Sequence, residues 1–388
     1  MLPYGRQEID EDDIAAVAAV LRGDFLTTGP EVSAFEAAFA EATGAGRAVA
    51  CNSGTAALHL ALSALGVGEG DVCIAPSITF MATANAAVYC GARVVFADVD
   101  PETGLMTPDT LCEALARAPG PVRAVLPVHL AGVPADTPAL AAIAAEAGAR
   151  LVEDSCHALG SFDAEGRPVG ACAHSAAATF SFHPVKTIAA GEGGCVTTND
   201  PALADAMARL RSHGIERDPA RFSRAEGADQ PWWHEMQALG WNHRMPDILA
   251  ALARSQLAKL PRFAERRRDL SARYNQALAP FAPIVRPPAG RAGTDPCRHL
   301  YNARVDFEAA GVDRATVMTT LREAGIGTQV HYIPVHRQPW HAARGDHPDL
   351  PGAETYYART LSLPLFPAMS DEDPARVALE LARALRIA

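Results

Sequence analysis

Lysine is almost absent from this chain of 388 residues. Of its 34 basic residues only Lys186 and Lys259 are lysines, and the other 32 are arginines. Arginine stays protonated in proteins, whereas a lysine amine can lose its proton and attack a carbonyl carbon. A lysine kept in so arginine-rich a chain is therefore a candidate for chemistry that arginine cannot perform.

Other scarcities exclude whole classes of protein. No apolar run reaches the roughly 18 residues of a membrane-spanning helix, and the N-terminus lacks the basic-then-apolar pattern of a signal peptide. We therefore expect a soluble, cytoplasmic protein with no membrane partner. Positive charge is in deficit, with a net charge of −11, which argues against nucleic-acid binding because that needs a basic face.

Cysteine and histidine lack the spacings of metal ligands. The eight cysteines include no CxxC pair, which is expected of free thiols in a reducing compartment. The thirteen histidines form no cluster with them, and the nearest spacing, His331 and His336, is weak. We expect no metal site.

Short apolar runs alternate with helical patterns from about residue 46. The predicted strands are 47–51, 72–76, 94–97, 124–128, 150–153, 177–182 and 194–198. The predicted helices are 12–22 and 31–43 before this region, and 55–65, 79–89, 108–116, 138–147 and 201–212 within it. Such alternation predicts an α/β fold with a large, mostly parallel sheet covered on both faces.

The pattern changes near residue 215. Residues 216–240 form a long polar stretch, and a loop of this length in a compact protein is usually functional or mobile. Helices at 246–260 and 262–278 and a linker at 280–296 follow. Strands at 300–306 and 328–332, with helices at 314–324 and 373–385, predict a small C-terminal α/β domain. We place the large domain at residues 1–260 and the small domain at 261–388.

Lys186 follows an apolar strand and precedes a glycine-rich turn at residues 191–194. A lysine that forms a Schiff base needs a rigid strand end to aim it and small neighbours that admit a cofactor. The alternative is an exposed lysine after a strand. An exposed lysine without a chemical role is the interpretation that suits Lys259, because its position fits the exposed face of an amphipathic helix.

Two further motifs accompany Lys186. Residues 52–55, Asn-Ser-Gly-Thr, precede a helix whose first amides can bind a phosphate, although Ser53 could simply cap that helix. Asp154 ends an apolar strand, where a carboxylate faces the crevice of an open sheet unless it merely caps a helix. A pyridoxal-phosphate enzyme needs such an acid to keep the pyridine nitrogen protonated. The three motifs together predict pyridoxal 5'-phosphate as cofactor.

These motifs resemble those of the sugar-nucleotide aminotransferase family, of the DegT/DnrJ/EryC1/StrS type, over essentially the whole chain. The matching segments are residues 25–29, 52–58, 79–80, 128–132, 153–157, 181–186, 192–194 and 240–245. The resemblance implies a fold type I pyridoxal-phosphate-dependent transferase, with a large mostly parallel sheet domain and a small C-terminal domain.

The resemblance also implies a role for each matching residue. Lys186 would form the Schiff base with the cofactor and later move the proton. The other implied contacts are Gly54, Thr55 and Ser181 to the phosphate, Phe80 stacked on the ring, Asp154 at the pyridine nitrogen and His157 at the ring oxygen. Asn242 would reach the phosphate from a second subunit, which implies a homodimer with shared active sites. On the residues alone, Phe80 could equally be core and Asn242 a helix cap.

Three positions bear on the subgroup. Many relatives have glutamine where this chain has His157, and tyrosine where it has Ala131, which suggests a differently shaped sugar pocket. Lys186 counts against the dehydratase branch, in which histidine replaces the lysine. Residues 181–186, 211–214 and 329–336 look most like those of the pseudaminic-acid pathway branch, which aminates a UDP-linked 4-keto-6-deoxy-N-acetyl-hexosamine at C4 with L-glutamate as donor.

The same branch implies a sugar-nucleotide pocket. Its residues would be Tyr4, Phe25, Leu26, Thr27, Thr28, Gln329, Val330, His331 and Tyr332. A histidine satisfied inside a strand is the alternative interpretation of His331. Two alternative functions stay open, namely an aminotransferase for a dTDP- or GDP-linked keto sugar and a regulatory protein that binds the cofactor without turnover.

Overall fold

The computed structural model describes residues 1–224, 227, 229–345 and 349–388. Its strands are β1 (Arg47–Cys51), β2 (Val72–Pro76), β3 (Arg93–Ala97), β4 (Val122–Val125), β5 (Arg150–Asp154), β6 (Ala177–Ser181), β7 (Gly194–Thr198), β8 (Ile215–Glu216), β9 (Glu235–Met236), β10 (Val285–Arg286), β11 (Tyr301–Val305) and β12 (Thr360–Leu363).

The helices alternate with these strands in the first half of the chain and cluster in the second half. They are α1 (Glu11–Arg22), α2 (Pro30–Thr43), α3 (Gly54–Ala64), α4 (Met81–Tyr89), α5 (Pro108–Ala116), α6 (Thr137–Glu146), α7 (Pro201–Arg211), α8 (Asp247–Ala258), α9 (Leu260–Leu278), α10 (Phe307–Ala310), α11 (Arg314–Glu323), α12 (Pro339–Ala342), α13 (Pro351–Arg359) and α14 (Asp373–Ala384). Within the described residues, no helix is both long and apolar enough to cross a membrane.

Seven strands of the described chain form the central sheet, in the order β1-β7-β6-β5-β4-β2-β3. Parallel pairing runs from β3 through β2, β4 and β5 to β6, whereas β7 is antiparallel to both β6 and β1. The mostly parallel α/β sheet predicted from the sequence is confirmed. Because β5 and β6 are parallel neighbours, their carboxyl ends, Asp154 and Ser181, lie at the same edge of the sheet.

Both faces of the sheet are apolar, so helices cover both. On β1, Val49 belongs to a core with the fully buried leucines of α3, whereas Ala50 belongs to a second core with Phe35 and Phe39 of α2. Successive residues of a strand point to opposite faces, which explains this division. Burial on both faces holds the strand ends, and hence the residues they carry, in fixed positions.

A third core lies in the C-terminal part of the chain. The antiparallel sheet β10-β11-β12 packs with α9, α11 and α14 around residues such as Tyr274 and Tyr301. Helix α9 joins this core to the large sheet, because Phe263 in its first turn belongs to the α2 core and Leu270 belongs to the C-terminal one. The exact division at residue 260 stays a prediction.

Two sequence predictions for this part are wrong. Residues 328–332 form no strand, because Gln329 makes a single bridge to Ser362 before the chain turns His331 and Tyr332 towards a cavity. On the side of β11 opposite β10 lies β12, which the sequence analysis missed together with helix α13. Residues 280–296 are not only a linker, since Val285–Arg286 pairs with β11 as β10.

The polar stretch at 216–240 contains the short antiparallel pair β8 and β9. Glu235 of β9 is a buried carboxylate that accepts hydrogen bonds from the Ser223 amide and hydroxyl and from the Arg224 amide. Residues 225, 226 and 228 of this stretch lie outside the described residues. A functional role of the stretch stays a prediction.

Candidate active site

A cavity of about 410 Å³ opens at the carboxyl ends of β5 and β6. It is lined by these residues that the sequence analysis singled out: Tyr4, Gly54, Thr55, Phe80, Asp154, His157, Ser181, Lys186, His331 and Tyr332. Segments from both ends of the chain meet there, because the first residues lie against the C-terminal part through the hydrogen bond from the Leu365 amide to the Tyr4 carbonyl. The sequence motifs therefore converge on one site.

Lys186 presents its amine to this cavity. A turn after β6 fixes its backbone, with the Lys186 amide donating to the His183 carbonyl at 2.8 Å. In the described chain, the amine has neither a hydrogen-bond nor an ion-pair partner. Burial lowers the pKa of Lys186 below its usual range, against the opposing effects of Cys156 and Asp154. A larger share of the amine is therefore neutral and able to act as nucleophile or base.

The start of α3 forms an anion-binding cradle beside Lys186. Ser53 caps the helix by accepting a hydrogen bond from the Ala56 amide at 3.1 Å, so the capping interpretation is correct for that residue. The amides of Gly54 and Thr55 begin the helix, where they lack partners within it and carry partial positive charge. A Cβ atom on Gly54 would lie 2.7 Å from Cβ of Ser181, so only glycine leaves this cradle open.

Asp154 is buried and rigidly held. Its Oδ2 atom accepts a hydrogen bond of 2.6 Å from Oγ1 of Thr83, and its Oδ1 atom accepts one of 3.2 Å from the Cys156 amide. The Thr83 hydroxyl in turn lies 2.7 Å from Oγ1 of Thr79. The sequence analysis placed Thr79 in a matching segment but missed Thr83. Their spacing of four residues, just after the end of β2, was the available signal.

His157 is held as a neutral imidazole. Its Nδ1 atom accepts a hydrogen bond of 3.3 Å from the Ala131 amide, and its Nε2 atom lies 3.1 Å from the Tyr332 hydroxyl. Burial and the nearby Lys186 lower the pKa of His157 well below its usual range. An amide can only donate, so we assign the proton of the neutral ring to Nε2.

His331 carries the opposite tautomer. Its Nδ1 atom lies 2.7 Å from Oγ of Ser362, and that hydroxyl donates at 2.6 Å to Oδ1 of Asn302. Because the hydroxyl proton is used there, Nδ1 of His331 must be the donor to Ser362. Burial lowers the pKa of His331 to about 3. His331 is thus both satisfied by the fold and part of the cavity wall, with the Tyr4 ring centroid 5.5 Å from its own.

The cavity also contains residues that sequence reasoning missed. His299 is buried with its ring centroid 4.6 Å from that of His157, and burial lowers its pKa well below the usual range. Its carbonyl accepts a hydrogen bond of 3.2 Å from Nη1 of the buried Arg267. His299 precedes β11 outside any motif, so no local signal marked it. Glu192, which lies within a recognised motif, also lines the cavity.

Seven predicted residues do not line this cavity within one chain. Phe25, Leu26 and Thr27 are exposed before α2, and Thr28 lines a separate cavity with Arg209 and Arg244. Asn242 is exposed. The remaining two are Gln329, whose side chain accepts a hydrogen bond from the amide of the next residue, and Val330.

The residues present fit pyridoxal 5'-phosphate. The cradle of Gly54 suits a phosphate, the carboxylate of Asp154 suits a pyridinium nitrogen, and the unpaired amine of Lys186 suits an aldehyde. The Phe80 ring is 52% exposed, which leaves it free to stack on a planar ring. One cavity thus brings together a phosphate cradle, a carboxylate, an amine and an aromatic ring that fit this cofactor.

Comparisons with known proteins agree with this geometry. The model of the DegT/DnrJ/EryC1/StrS aminotransferase family matches residues 7–382. The aminotransferase TlmJ from Streptoalloteichus hindustanus is 33% identical, with a TM-score of 0.89, over 100% of this chain and 99% of that chain. PseC from Helicobacter pylori, an aminotransferase involved in pseudoaminic acid biosynthesis, is 27% identical, with a TM-score of 0.89, over 99% of both chains.

A third similar structure is DesI, solved in the presence of its TDP-sugar product. It is 33% identical to this chain, with a TM-score of 0.85, over 100% of this chain and 94% of that chain. The matches confirm the predicted fold type I architecture and the pyridoxal-phosphate cofactor. They also confirm that the protein is an enzyme that aminates sugar nucleotides. The chain therefore belongs to the DegT/DnrJ/EryC1/StrS aminotransferase family.

Proposed function

We propose that this enzyme transfers the amino group of L-glutamate to C4 of a UDP-linked 4-keto-6-deoxy-N-acetyl-hexosamine. The product is UDP-4-amino-4,6-dideoxy-N-acetyl-β-L-altrosamine, an intermediate of pseudaminic acid biosynthesis. The unpaired, partly neutral amine of Lys186 inside the cavity is the observation that carries the transfer chemistry. The similarity to PseC along 99% of both chains supports the choice of sugar.

The residues of the cavity divide the work. Bound pyridoxal phosphate supplies a ring that stabilises negative charge at the carbon that loses a proton. The amides of Gly54 and Thr55 and the Ser181 hydroxyl would bind the phosphate, and the Phe80 ring would stack on the cofactor. Asp154 would hold the proton on the pyridine nitrogen, because its carboxylate is fixed by Thr83 and favours the cation.

Lys186 moves the proton in both half-reactions. Its neutral Nζ atom would take the proton from Cα of glutamate in the first half-reaction, and its protonated form would deliver a proton to C4 of the sugar in the second. The lowered pKa of Lys186 raises the share of neutral amine available at neutral pH. The Nε2–H of His157 donates to the Tyr332 hydroxyl, and the ring lines the cavity where it would lie beside the ring oxygen of the cofactor.

A homodimer with shared active sites completes the proposal. Large apolar side chains are exposed in the segment before Asn242, with Leu239 at 80% and Met236 at 67%, and Phe25 before α2 is 56% exposed. Such exposure favours a contact with a second protein surface. Asn242 of each protomer would then reach the phosphate bound by the other. We propose that Phe25, Leu26, Thr27, Thr28, Gln329 and Val330 complete the sugar-nucleotide pocket in this dimer.

The compartment and the domain division also belong to this proposal. All eight cysteines are free thiols in the structure, which fits a reducing compartment such as the cytoplasm. We assign residues 1–260 to a large cofactor-binding domain and residues 261–388 to a small domain that contributes His299, His331 and Tyr332 to the cavity.

A TDP-linked keto sugar is the second candidate substrate. The similarity to DesI, at 33% identity, exceeds that to PseC, at 27%. The two candidates are separated by incubating the holoenzyme and L-glutamate with each keto sugar and identifying the amino sugar formed. We expect kcat/KM to be higher for the UDP-linked N-acetyl sugar. A higher value for the TDP-linked sugar would replace the proposed substrate and leave the reaction type intact.

A further inference from the structure

Tyr332 and His331 are adjacent on the cavity wall, and the surrounding hydrogen bonds fix what each can offer a ligand. The first series of hydrogen bonds begins at the Ala131 amide, which donates to Nδ1 of His157. The neutral ring then donates from Nε2 to the Tyr332 hydroxyl oxygen, 3.1 Å away. Since that oxygen already accepts a hydrogen bond, the hydroxyl proton is free to be donated into the cavity.

The second series of hydrogen bonds leaves an acceptor on His331. The amide nitrogen of Asn302 donates to the Tyr356 hydroxyl at 2.9 Å, which orients its Oδ1 atom towards Ser362. The Ser362 hydroxyl donates a hydrogen bond to Asn302 and accepts one from Nδ1 of His331. The Nε2 atom of the neutral His331 ring therefore carries a lone pair and no proton, on a residue that lines the cavity.

The two series of hydrogen bonds are independent of each other. One starts in the turn that contains Ala131, which precedes α6, and the other starts on the small sheet at Ser362 of β12. The ring centroids of His331 and Tyr332 lie 4.8 Å apart at 87°, and both residues line the cavity, so the donor and the acceptor belong to neighbouring residues of its wall. A donor and an acceptor with fixed directions discriminate between ligands better than freely rotating groups do.

We propose that Tyr332 and His331 form an oriented donor–acceptor pair that recognises a ketone with a hydroxyl group on the neighbouring carbon. The Tyr332 hydroxyl donates to the ketone oxygen, and Nε2 of His331 accepts from the neighbouring hydroxyl. This inference rests on the sugar-nucleotide aminotransferase function and holds for either nucleotide. Tyr332 and His331 then determine specificity, and His157 is a positioning residue that acts through Tyr332.

Substitutions of His157 separate positioning from mere packing. In His157→Gln, the amide oxygen can accept a hydrogen bond from Ala131 and the amide nitrogen can donate one to Tyr332. The direction of both hydrogen bonds is therefore kept. In His157→Leu, both hydrogen bonds are lost at similar volume. Tyr332→Phe removes the proposed donor and keeps the ring. The Gln variant is therefore the matched control for the other two.

The experiment measures each half-reaction by itself in single turnover. Holoenzyme is mixed with L-glutamate, and the aminated enzyme is then mixed with the UDP-linked 4-keto sugar. We expect Tyr332→Phe and His157→Leu to slow the sugar half-reaction about 10- to 100-fold, as loss of a buried hydrogen bond to substrate does. We expect the sugar half-reaction to be faster in His157→Gln than in His157→Leu, because the Gln variant keeps both hydrogen bonds, and we expect the glutamate half-reaction to slow less than the sugar half-reaction in each variant.

A substrate analogue tests the acceptor. The sugar that lacks the hydroxyl next to the ketone is expected to react about 10- to 100-fold more slowly with the wild type, and His331→Phe is expected to slow the natural sugar but not the analogue. Equal effects of His331→Phe on the natural sugar and on the analogue would overturn the assignment of the acceptor.

The affinity of the apoenzyme for pyridoxal phosphate is measured as well, by fluorescence titration. It is expected to be the same in Tyr332→Phe and the wild type. Weaker cofactor binding with equal slowing of both half-reactions would overturn the proposal, because Tyr332 would then donate to the cofactor. Wild-type sugar kinetics in Tyr332→Phe would also overturn it. If the wild type itself did not react with glutamate, the aminotransferase function would fail instead, so the two failures are distinct.

Discussion

The carboxylate of Asp154 and the hydroxyl of Thr83 share a buried hydrogen bond of 2.6 Å between Oδ2 and Oγ1. Thr83 lies in α4 and Asp154 ends β5, so the bond joins two elements that both border the cavity. It fixes the orientation of the carboxylate that we propose binds the pyridinium nitrogen of the cofactor. The strength of cofactor binding should therefore depend on Thr83, a residue with no place in the recognised motifs.

Replacing Thr83 by valine should weaken cofactor binding. The change keeps the shape of the side chain and removes the hydroxyl, and a buried hydrogen bond to a charged group contributes about 1.5–3 kcal/mol. We expect the Kd of the apoenzyme for pyridoxal phosphate to rise about 10- to 100-fold. Thr83→Ser keeps the hydroxyl and is the control. Equal affinities of the valine variant and the wild type would remove Thr83 from the account.

Replacing Gly54 by alanine should close the phosphate cradle. The new Cβ atom would lie 2.7 Å from Cβ of Ser181, which forces the start of α3 away from the end of β6. Overpacking of this kind costs about 1–3 kcal/mol, so cofactor binding should weaken about 10- to 100-fold. Gly68→Ala is the matched control, because no atom lies within 4 Å of its added Cβ. Comparable losses in both variants would mean that the effect is not local to the cradle.

The stability of the fold should fall in acid, partly because of His331. Burial lowers the pKa of His331 to about 3, so the unfolded chain binds its proton first as the pH falls. The contribution of His331 is fully present above its unfolded pKa of about 6.5 and is lost progressively towards about pH 3. From about pH 7.5 to about pH 5 this loss amounts to about 2 kcal/mol.

Urea unfolding of the wild type and of His331→Gln at both pH values measures this contribution. We expect the variant to lose about 2 kcal/mol less than the wild type over this interval. The absolute stability of the variant can change as well, because the hydrogen bond to Ser362 is altered. An identical pH dependence in the two proteins would show that His331 does not resist protonation in the folded state.

Mixed dimers test whether active sites are shared. Lys186→Ala and Asn242→Asp should each abolish turnover as homodimers, the second because it places a negative charge beside the phosphate of the other protomer. After the two proteins are unfolded and refolded together, one site of each heterodimer carries both native residues. We expect recovery of about a quarter of the wild-type activity. No recovery, with heterodimers demonstrated by differential tagging, would contradict the shared site.

The sequence made the sheet and the main reactive groups predictable because both depend on local patterns. Alternation of apolar strands with helices marked the central sheet, and the ends of its strands marked Asp154 and the approach to Lys186. His299 and Thr83 escaped because their roles arise from tertiary packing, which brings them to the cavity from segments without a motif. The orientation of a hydroxyl or a ring proton was likewise beyond any sequence pattern.

The C-terminal part was harder to predict for a related reason. Residues 328–332 favour a strand because they include the β-branched Thr328 and Val330 and an aromatic residue, yet the Ser362 side chain binds His331 and the chain leaves the sheet after Gln329. Strand β12 consists of four residues directly after helix α13, so its pattern is too short to separate from the helix. At both positions the structure is decided by tertiary contacts and not by local propensity.

The most direct test of the account follows the visible absorption of the purified holoenzyme. L-glutamate should abolish the absorption band of the bound cofactor, and the UDP-linked 4-keto sugar should restore it. Lys186→Ala should show neither change, whereas Lys259→Arg, which keeps a cation beside Asp10 and Asp13, should behave like the wild type. Turnover by Lys186→Ala, or a wild-type band that glutamate leaves unchanged, would contradict the central role of Lys186.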